Sequence, residues 1–283
     1  MTPSHVAIML AAAAVGGLMN ALAGGGTIVT FPILIFLGQP AITANATSTV
    51  ALLPGAAASM AGYGQEVRSH KEWLKTLLLP SLVGGGLGSI LLLWTEENTF
   101  ARLAPLLVLF ATLLFMLQGV LAARRARRLP RQGAGEPGSE DNAVAPSTPQ
   151  AEQVPSLRLS SGRWLTAILF QFGVSVYGGY FGAAIGILML SVLGFLGLTN
   201  IFAMNGLKNF FGFCINGVAA AYFILRGAVV WPIALLMMAG SIAGGYGGAR
   251  LARVIGKEKA RAAVVVIGFV VTAILFWQRA HSS

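Results

Sequence analysis

The stretch AGGGTIVTFPILIFL, residues 23–37, decides how the chain can fold. Its glycine run, Gly24 to Gly26, interrupts a hydrophobic sequence, and the apolar segment that follows, 28–37, is only about ten residues long. Ten residues of helix extend about 15 Å, which is half the hydrocarbon thickness of a bilayer. A second stretch, GGYFGAAIG (Gly178 to Gly186), precedes the equally short apolar segment 187–196. The sequence therefore predicts two interrupted helices.

The composition indicates a protein with many membrane-spanning segments. Of the 283 residues, 56% are hydrophobic and 10% are charged, and the mean hydropathy is +0.76. Soluble domains carry about 25% charged residues. Eight apolar segments approach the ~20 residues that a helix needs to cross a bilayer. They are 6–23, 44–63, 73–94, 103–123, 164–182, 203–225, 229–249 and 262–277.

The net charge of +10 reflects membrane topology rather than nucleic-acid binding. Lys and Arg residues beside apolar segments are typical of cytoplasmic loops. One basic group follows segment 103–123 and consists of Arg124, Arg125, Arg127, Arg128 and Arg131. Another lies between the last two segments and consists of Arg250, Arg253, Lys257, Lys259 and Arg261. We therefore expect no nucleic-acid partner.

Residues 124–162 separate two halves of similar length. After the arginine cluster, the sequence RQGAGEPGSEDNAVAPSTPQAEQVP (131–155) is rich in Pro, Gly, Ser and acidic residues and has no apolar periodicity. Such a composition predicts a flexible linker without a core. We therefore divide the chain into an N-terminal membrane repeat (1–123), a linker (124–162) and a C-terminal membrane repeat (163–283).

The two halves align without a gap when one is moved by 159 residues. Phe36-Leu37-Gly38 then coincides with Phe195-Leu196-Gly197, and the glycines of 85–88 coincide with those of 244–247. The matches cluster at segment ends and glycine runs. This pattern predicts an internal duplication, as in many secondary transporters.

Equivalent loops of the two halves carry opposite charge. The basic loop with Arg68, Lys71 and Lys75 has a counterpart with only Arg226, and the loop with Glu96 and Glu97 has a basic counterpart, 252–261. The positive-inside rule then places equivalent loops on opposite sides of the membrane, and the linker in the cytoplasm. We predict an all-α polytopic membrane protein of two inverted repeats, each with a Gly-broken first helix pair plus three full crossings. The short segments 28–37 and 187–196 are either re-entrant or short, tilted crossings.

The sequence GGLMNALAGGGTIVTFPILIFLGQPAITANATSTVALLPGAAAS, residues 16–59, resembles the sulfite exporter TauE/SafE family of anion transporters. The family pattern is a Gly-rich break, a Pro, a short loop and an Ala/Thr/Ser-rich helix, and the matching residues are Gly24, Gly25, Gly26, Pro32, Ala44, Thr47 and Ser48. The second half matches more loosely, with Gly182-Ala183-Ala184 at its break and Ser191 in place of Pro32. The resemblance covers nearly the whole chain except the linker. It implies export of small sulfur-containing anions such as sulfite, sulfoacetate or related sulfonates across a bacterial inner membrane.

Lys208 lies inside the apolar segment 203–225, where a full charge costs roughly 3 kcal/mol on insertion scales. At helical periodicity it shares one face with Asn205, Asn209, Gly212 and Asn216. An ammonium, amide donors and a glycine that permits close approach suit an oxyanion. The alternatives are a lysine that snorkels to the interface and asparagines that bridge helices. We predict that Lys208, Asn205 and Asn209 bind the substrate.

The first half supplies the other predicted binding residues. Thr49 is equivalent to Lys208 in the alignment, and Asn45 and Ser48 share its helix face. Asn20 precedes the glycine break, whose N–H groups would begin a half-helix and attract an anion. For that break, tight helix packing is the alternative, and it is the interpretation we favour for Gly84–Gly86 and Gly244–Gly248. The predicted set is completed by Asn20, Gly25, Gly26, Asn45, Ser48 and Thr49.

The acidic residues lie outside the span interiors, in loops, in the linker or at segment edges, and so do the three His residues. Proton-coupled pumps and cation carriers usually rely on intramembrane carboxylates or histidines, so their absence favours an anion. No nucleophile with a base, metal cluster or phosphate loop is apparent, and we expect no enzymatic activity, cofactor or metal. The expected partners are a small anionic substrate and the lipid bilayer. The alternative functions are an anion channel, and a membrane assembly or receptor protein that does not transport.

Overall fold

A computed structural model describes residues 2–22, 24–61, 64–128, 161–198, 200–255, 265–266, 268–270 and 272–274. These residues form helices and connecting turns, with no strand among them. The helices are α1 (Pro3–Leu22), α2 (Thr27–Phe36), α3 (Ala41–Ala61), α4 (Gly64–Ser69), α5 (Lys71–Trp94), α6 (Glu97–Arg128), α7 (Ser161–Tyr180), α8 (Ile185–Phe195), α9 (Ile201–Leu225) and α10 (Trp231–Ile255). Residues 265–266, 268–270 and 272–274 are also helical.

The helices follow the predicted segments closely, and they confirm the all-helical class. Among the described residues, four stretches are long and apolar enough to cross a membrane, namely Pro3–Ala21, Lys71–Trp94, Glu97–Leu114 and Ala203–Leu225. Thr27–Phe36 and Ile185–Phe195 are shorter apolar helices. Helix α4 lies in a region expected to be a loop. Helix α6 continues to Arg128 and α7 begins at Ser161, so both ends of the predicted linker are helical. Most of the linker (129–160) and half of segment 262–277 lie outside the described residues.

Both short helices begin after a tight turn of the backbone. Before α2, Gly24 has φ +78°, and the side-chain oxygen of Asn20 accepts a hydrogen bond from the Gly26 N–H at 3.0 Å. Before α8, Gly182 has φ +78° and Ala184 has φ +61°. Residues with a Cβ rarely adopt such positive φ values, which explains the glycines at these two breaks. The glycine-rich sequence therefore interrupts the helices, as predicted.

The C-termini of α2 and α8 have the same geometry. Gly38 ends α2 with φ +80°, and Gly197 ends α8 with φ +91°. The residue after each glycine donates a backbone hydrogen bond to the last turns of the helix. The Gln39 N–H donates to the Leu34 carbonyl at 3.0 Å, and the Leu198 N–H donates to the Leu193 carbonyl at 3.1 Å. This is the Schellman arrangement, which satisfies carbonyls that a helix end otherwise leaves without partners. The two motifs are 159 residues apart, the offset found in the sequence.

The main helix contacts join one half of the chain to the other. The most extensive pairs are α1 with α10 and α5 with α7, and α3 packs against both α9 and α10. Glycines permit the backbones to approach closely: a Cβ on Gly244 would overlap the Ala14 carbonyl, and one on Gly179 would overlap the Gly85 carbonyl. Small residues at such contacts are typical of membrane helices.

Candidate functional site

A cavity lies where the two helix breaks meet. A Cβ built on Gly24 would lie 2.9 Å from the Cα atom of Gly186, so the first break touches the start of α8. The cavity is bounded by residues of α1, α3, α9 and both breaks. They are Asn20, Gly24, Thr27, Thr49, Leu52, Leu53, Ala56, Ser59, Gly182, Ile185, Gly186, Lys208, Asn209, Gly212, Phe213 and Asn216. The cavity is therefore formed by both halves of the chain.

Two helix N-termini face this cavity. Thr27 is the first residue of α2 and Ile185 the first residue of α8, and both belong to the lining. The first N–H groups of a helix have no acceptor within the helix, and the helix dipole adds partial positive charge there. Both N-termini therefore favour an anion between them.

Among the described residues that line the cavity, Lys208 is the one with a charged side chain. It lies in the second turn of α9 and is 2% exposed, although it is one of the larger side chains. A lysine that snorkels would extend its ammonium to the surface. The burial of Lys208 shows that its side chain stays inside the protein. Because the described lining has no Asp or Glu, the electrostatic character of the cavity is positive.

Asn209 adds a hydrogen-bond donor beside Lys208. The residue is 8% exposed and lines the cavity, and its Nδ2 group has no hydrogen-bond partner within the described part of the chain. A buried amide N–H without a partner costs free energy, which a bound acceptor would recover. Asn209 is thus suited to donate to an oxygen of a bound anion.

The α3 wall is polar at two positions, Thr49 and Ser59, and apolar between them. Thr49 donates its hydroxyl hydrogen to the Asn45 carbonyl at 2.9 Å, and Ser59 donates to the Gly55 carbonyl at 2.9 Å. Between them, Leu52, Leu53 and Ala56 line the cavity. The site therefore combines a positively charged region on α9 with an apolar surface on α3.

The structure brings four of the nine predicted binding residues to the cavity. These are Asn20, Thr49, Lys208 and Asn209. The other five, Gly25, Gly26, Asn45, Ser48 and Asn205, are not in its lining.

Two of the residues outside the lining, Asn45 and Ser48, make hydrogen bonds between helices. Asn45 donates from Nδ2 to the Tyr180 carbonyl at 3.1 Å, and Ser48 shares a hydrogen bond of 2.5 Å with Thr30. These bonds connect α3 with the end of α7 and with α2. They resemble the bridging role that membrane Asn and Ser residues often have.

Twelve of the sixteen lining residues are not in the predicted binding set. Three of them, Leu52, Ala56 and Ser59, follow Thr49 at helical spacing and could have been found from that periodicity. Four more belong to the break regions, namely Thr27, Gly182, Ile185 and Gly186. Their place in the lining depends on how the two breaks approach each other. No cluster of three or more His, Cys, Asp or Glu side chains suited to a metal occurs in the described ranges.

Comparison with known proteins places the chain among membrane transporters. The family model described as "Sulfite exporter TauE/SafE" matches residues 8–275. The chain is 26% identical to a "Probable membrane transporter protein" of Haemophilus influenzae, over 95% of this chain and 93% of that protein. It is 23% identical to "Probable membrane transporter protein ORF9" of Sinorhizobium sp, covering 98% and 94% of the two chains. It is 22% identical to "Probable membrane transporter protein YfcA" of Escherichia coli K12, covering 98% and 91%. No solved structure matches the chain.

Proposed function

The chain belongs to the sulfite exporter TauE/SafE family of membrane transporters, and we propose that it is a secondary transporter that exports small sulfur-containing anions. Sulfite, sulfoacetate and related sulfonates are the candidate substrates. The observation that carries this proposal is the buried Lys208 in a cavity formed by both halves of the chain. A charge buried in a membrane protein is costly and is usually functional.

The proposed binding site has a positive side on α9 and the N-termini of two helices at the breaks. Lys208 neutralises the charge of the substrate, and Asn209 donates to one of its oxygens. The N-termini of α2 and α8 add the partial positive charge of their helix dipoles at the two breaks. Asn20 holds the first break in shape through its bond to the Gly26 N–H. Asn45 and Ser48, which the described lining does not include, act through the helices that they connect. Asn205 is also outside that lining and is not part of the proposed site.

We further propose that the chain is built from two inverted repeats. The alignment at 159 residues pairs α1 with α7, α2 with α8, α3 with α9 and α5 with α10. The helix contacts follow the same pairing. Helix α1 packs against α10, and their respective equivalents, α7 and α5, pack against each other. The reversed loop charges support opposite orientations, with the linker in the cytoplasm of a bacterial cell and the transporter in its inner membrane. The site then lies near the midplane, where broken helices of secondary transporters bind substrate.

Membrane potential alone suffices to drive the proposed export. The described lining contains no Asp, Glu or His to carry a proton with the substrate. A cell that is negative inside favours anion efflux by about 2.3 kcal/mol per charge at 100 mV. Export is therefore expected to be electrogenic and independent of a pH gradient.

Reconstituted liposomes test the function directly. Purified protein should mediate saturable uptake of labelled sulfite or sulfoacetate when a potassium–valinomycin potential is positive inside, and a pH gradient at zero voltage should drive none. Flux that rises linearly without saturation would instead indicate an anion channel. A protein that melts cooperatively but passes no anion at any voltage would indicate a membrane assembly or receptor role.

A further inference from the structure

We infer that Phe31, Phe100 and Phe181 form an aromatic gate, which closes the cavity toward the outside of the cell and separates when the anion is released. The inference rests on the proposed function, because a gate has a role only in a protein that transports. It assigns a task to residues that do not line the cavity. It also assigns the structure to the state that exchanges its anion with the cytoplasm, which is the loading state of an exporter.

The three rings of the aromatic gate come from three separate elements and contact one another. Phe31 belongs to α2, Phe100 to α6, and Phe181 follows the last residue of α7. The ring centroids of Phe31 and Phe181 are 5.3 Å apart, those of Phe31 and Phe100 are 6.1 Å apart, and those of Phe100 and Phe181 are 6.4 Å apart. All three pairs have the edge-to-face geometry that aromatic rings prefer. Each side chain is at most 1% exposed, so the rings leave no gap for solvent between them.

The aromatic gate lies toward the outside in the proposed topology. Helix α6 leads into the cytoplasmic linker, so it begins outside, and Phe100 is in its first turn. Three residues earlier, the Glu97 carboxylate accepts hydrogen bonds from backbone N–H groups at the start of α3. Helix α3 therefore also begins outside, and α9, its inverted equivalent, ends there. Tyr180 packs against Phe100 at 5.6 Å between ring centroids, and its hydroxyl shares a hydrogen bond of 3.3 Å with Thr95 at the outer end of α5.

The lining of the cavity stops well short of this outer side. The first lining residue on α3, Thr49, lies eight residues after the helix begins, about 12 Å along its axis. The last lining residue on α9, Asn216, lies nine residues before that helix ends, about 14 Å along its axis. The residues of α3 from Ala44 to Thr49 are all buried. The described residues therefore close the cavity toward the outside.

The aromatic gate fills the closed region next to the lining. Phe31 lies one turn of α2 after Thr27, and Phe181 directly precedes Gly182, so two of the three rings adjoin residues of the cavity wall. The same buried hydrophobic cluster contains Ala44 of α3. An anion that leaves the cavity between α2, α3 and the second break must pass these rings. Separation of the rings is therefore the step that opens the outer exit.

The two ends of the cavity differ. Toward the cytoplasm, the lining continues on α3 to Ser59, two residues before the helix ends at Ala61. Because inverted repeats exchange inside and outside, the sequence equivalents of the aromatic gate belong to the cytoplasmic end. In the order Phe31, Phe100 and Phe181, these equivalents are Leu190, Lys259 and Leu22. None of them is aromatic, so the aromatic gate is a property of the outer end.

A buried cysteine reports on the opening of the aromatic gate. In a protein without Cys214, Ala44→Cys places a thiol at a position that is fully buried on the outer part of α3. An impermeant thiol reagent added to intact cells should label it slowly. Phe100→Ala should raise the labelling rate about tenfold, because loss of one ring shifts the population toward the open state. Phe100→Leu keeps more apolar volume and folds more readily, and should raise the rate less.

Two controls separate gate opening from loss of structure. Phe110→Ala makes the same change two to three turns later on α6, at a side chain that is 46% exposed and outside the aromatic gate, and it should leave labelling slow. Ala13→Cys, buried in the contact of α1 with α10, should stay unlabelled in every variant. If Phe100→Ala leaves Ala44→Cys unlabelled, or if it exposes Ala13→Cys equally, Phe100 is not part of a gate.

Sulfite flux distinguishes failure of the gate from failure of the proposed function. In liposomes, wild-type flux should saturate with sulfite concentration, whereas flux through Phe100→Ala should keep rising, because the cavity is then open to both sides. Sulfite should still raise the melting temperature of Phe100→Ala, since Phe100 is not in the described lining. If wild type transports and Phe100→Ala saturates in the same way, the gate assignment is wrong and transport stands. If wild type transports no anion, the proposed function fails and the gate with it.

Discussion

Thr49 on α3 and Lys208 on α9 line the same cavity, although 159 positions separate them in the chain. They occupy equivalent positions of the aligned halves but differ in chemistry. The hydroxyl hydrogen of Thr49 is bonded to the Asn45 carbonyl at 2.9 Å, whereas Lys208 brings a buried ammonium. The site is therefore asymmetric: of the two aligned positions, only that on α9 provides a charge.

Glu97 stabilises the beginning of α3. Its carboxylate accepts hydrogen bonds from the backbone N–H groups of Ala41 and Ile42, the first residues of that helix. A carboxylate at a helix N-terminus satisfies free N–H groups and interacts favourably with the dipole. Glu97→Ala should lower the free energy of unfolding by about 1 kcal/mol, measured as a lower melting temperature. Glu96→Ala, an exposed neighbour, serves as the control and should change little; equal effects of the two variants would contradict this role.

The contact between α1 and α10 depends on Gly244. A Cβ at this position would overlap the carbonyl oxygen of Ala14, whereas one at Gly247, a turn away on α10, meets no heavy atom within 4 Å. Gly244→Ala should therefore destabilise the protein by about 1–3 kcal/mol, the usual cost of overpacking. Gly247→Ala should be neutral or slightly stabilising, because Ala favours helix over Gly by up to about 1 kcal/mol. The melting temperatures of the two variants in one detergent provide the comparison, and similar values would show that the helices are not in this close contact.

The inverted arrangement predicts that Arg68 and Glu96 lie on opposite sides of the membrane. Both residues are exposed, and they lie at opposite ends of α5. In a background without Cys214, a cysteine at position 96 should react with an impermeant thiol reagent in intact cells, and one at position 68 should react only after permeabilisation. Reaction of both positions in intact cells would contradict the orientation inferred from the loop charges.

The interruptions of the helices could be predicted from sequence because their cause is local. A glycine run followed by about ten apolar residues cannot continue as a full crossing, and the turns at Gly24 and Gly182 follow from that. The shared face of Lys208, Asn209, Gly212 and Asn216 could also be predicted, since it follows from helical periodicity.

The spacing of Leu52, Ala56 and Ser59 from Thr49 follows from helical periodicity, but which face of α3 lines the cavity could not be predicted. Periodicity gives the angles between residues and not which face a neighbour covers. Ser48 faces Thr30 of α2, and Asn45 reaches the Tyr180 carbonyl, so both are used in helix contacts. Asn205 shares a face with Lys208 in projection but lies beyond the end of the cavity lining. The position of the cavity along each helix depends on how the two breaks meet, which is a property of packing between distant segments.

The Lys208→Met variant, with the substrate-induced shift of its melting temperature, tests the central claim most directly. Met keeps the length of the side chain and removes the charge, so a change in substrate binding reports on the ammonium. Addition of sulfite or a small sulfonate should raise the melting temperature of wild type and leave that of Lys208→Met unchanged. Lys208→Arg should show a reduced shift, because a wide guanidinium fits a compact site poorly even though the charge is kept. A Lys208→Met protein that still shows the full substrate-induced shift would contradict the assignment of Lys208 as the counter-charge of the substrate.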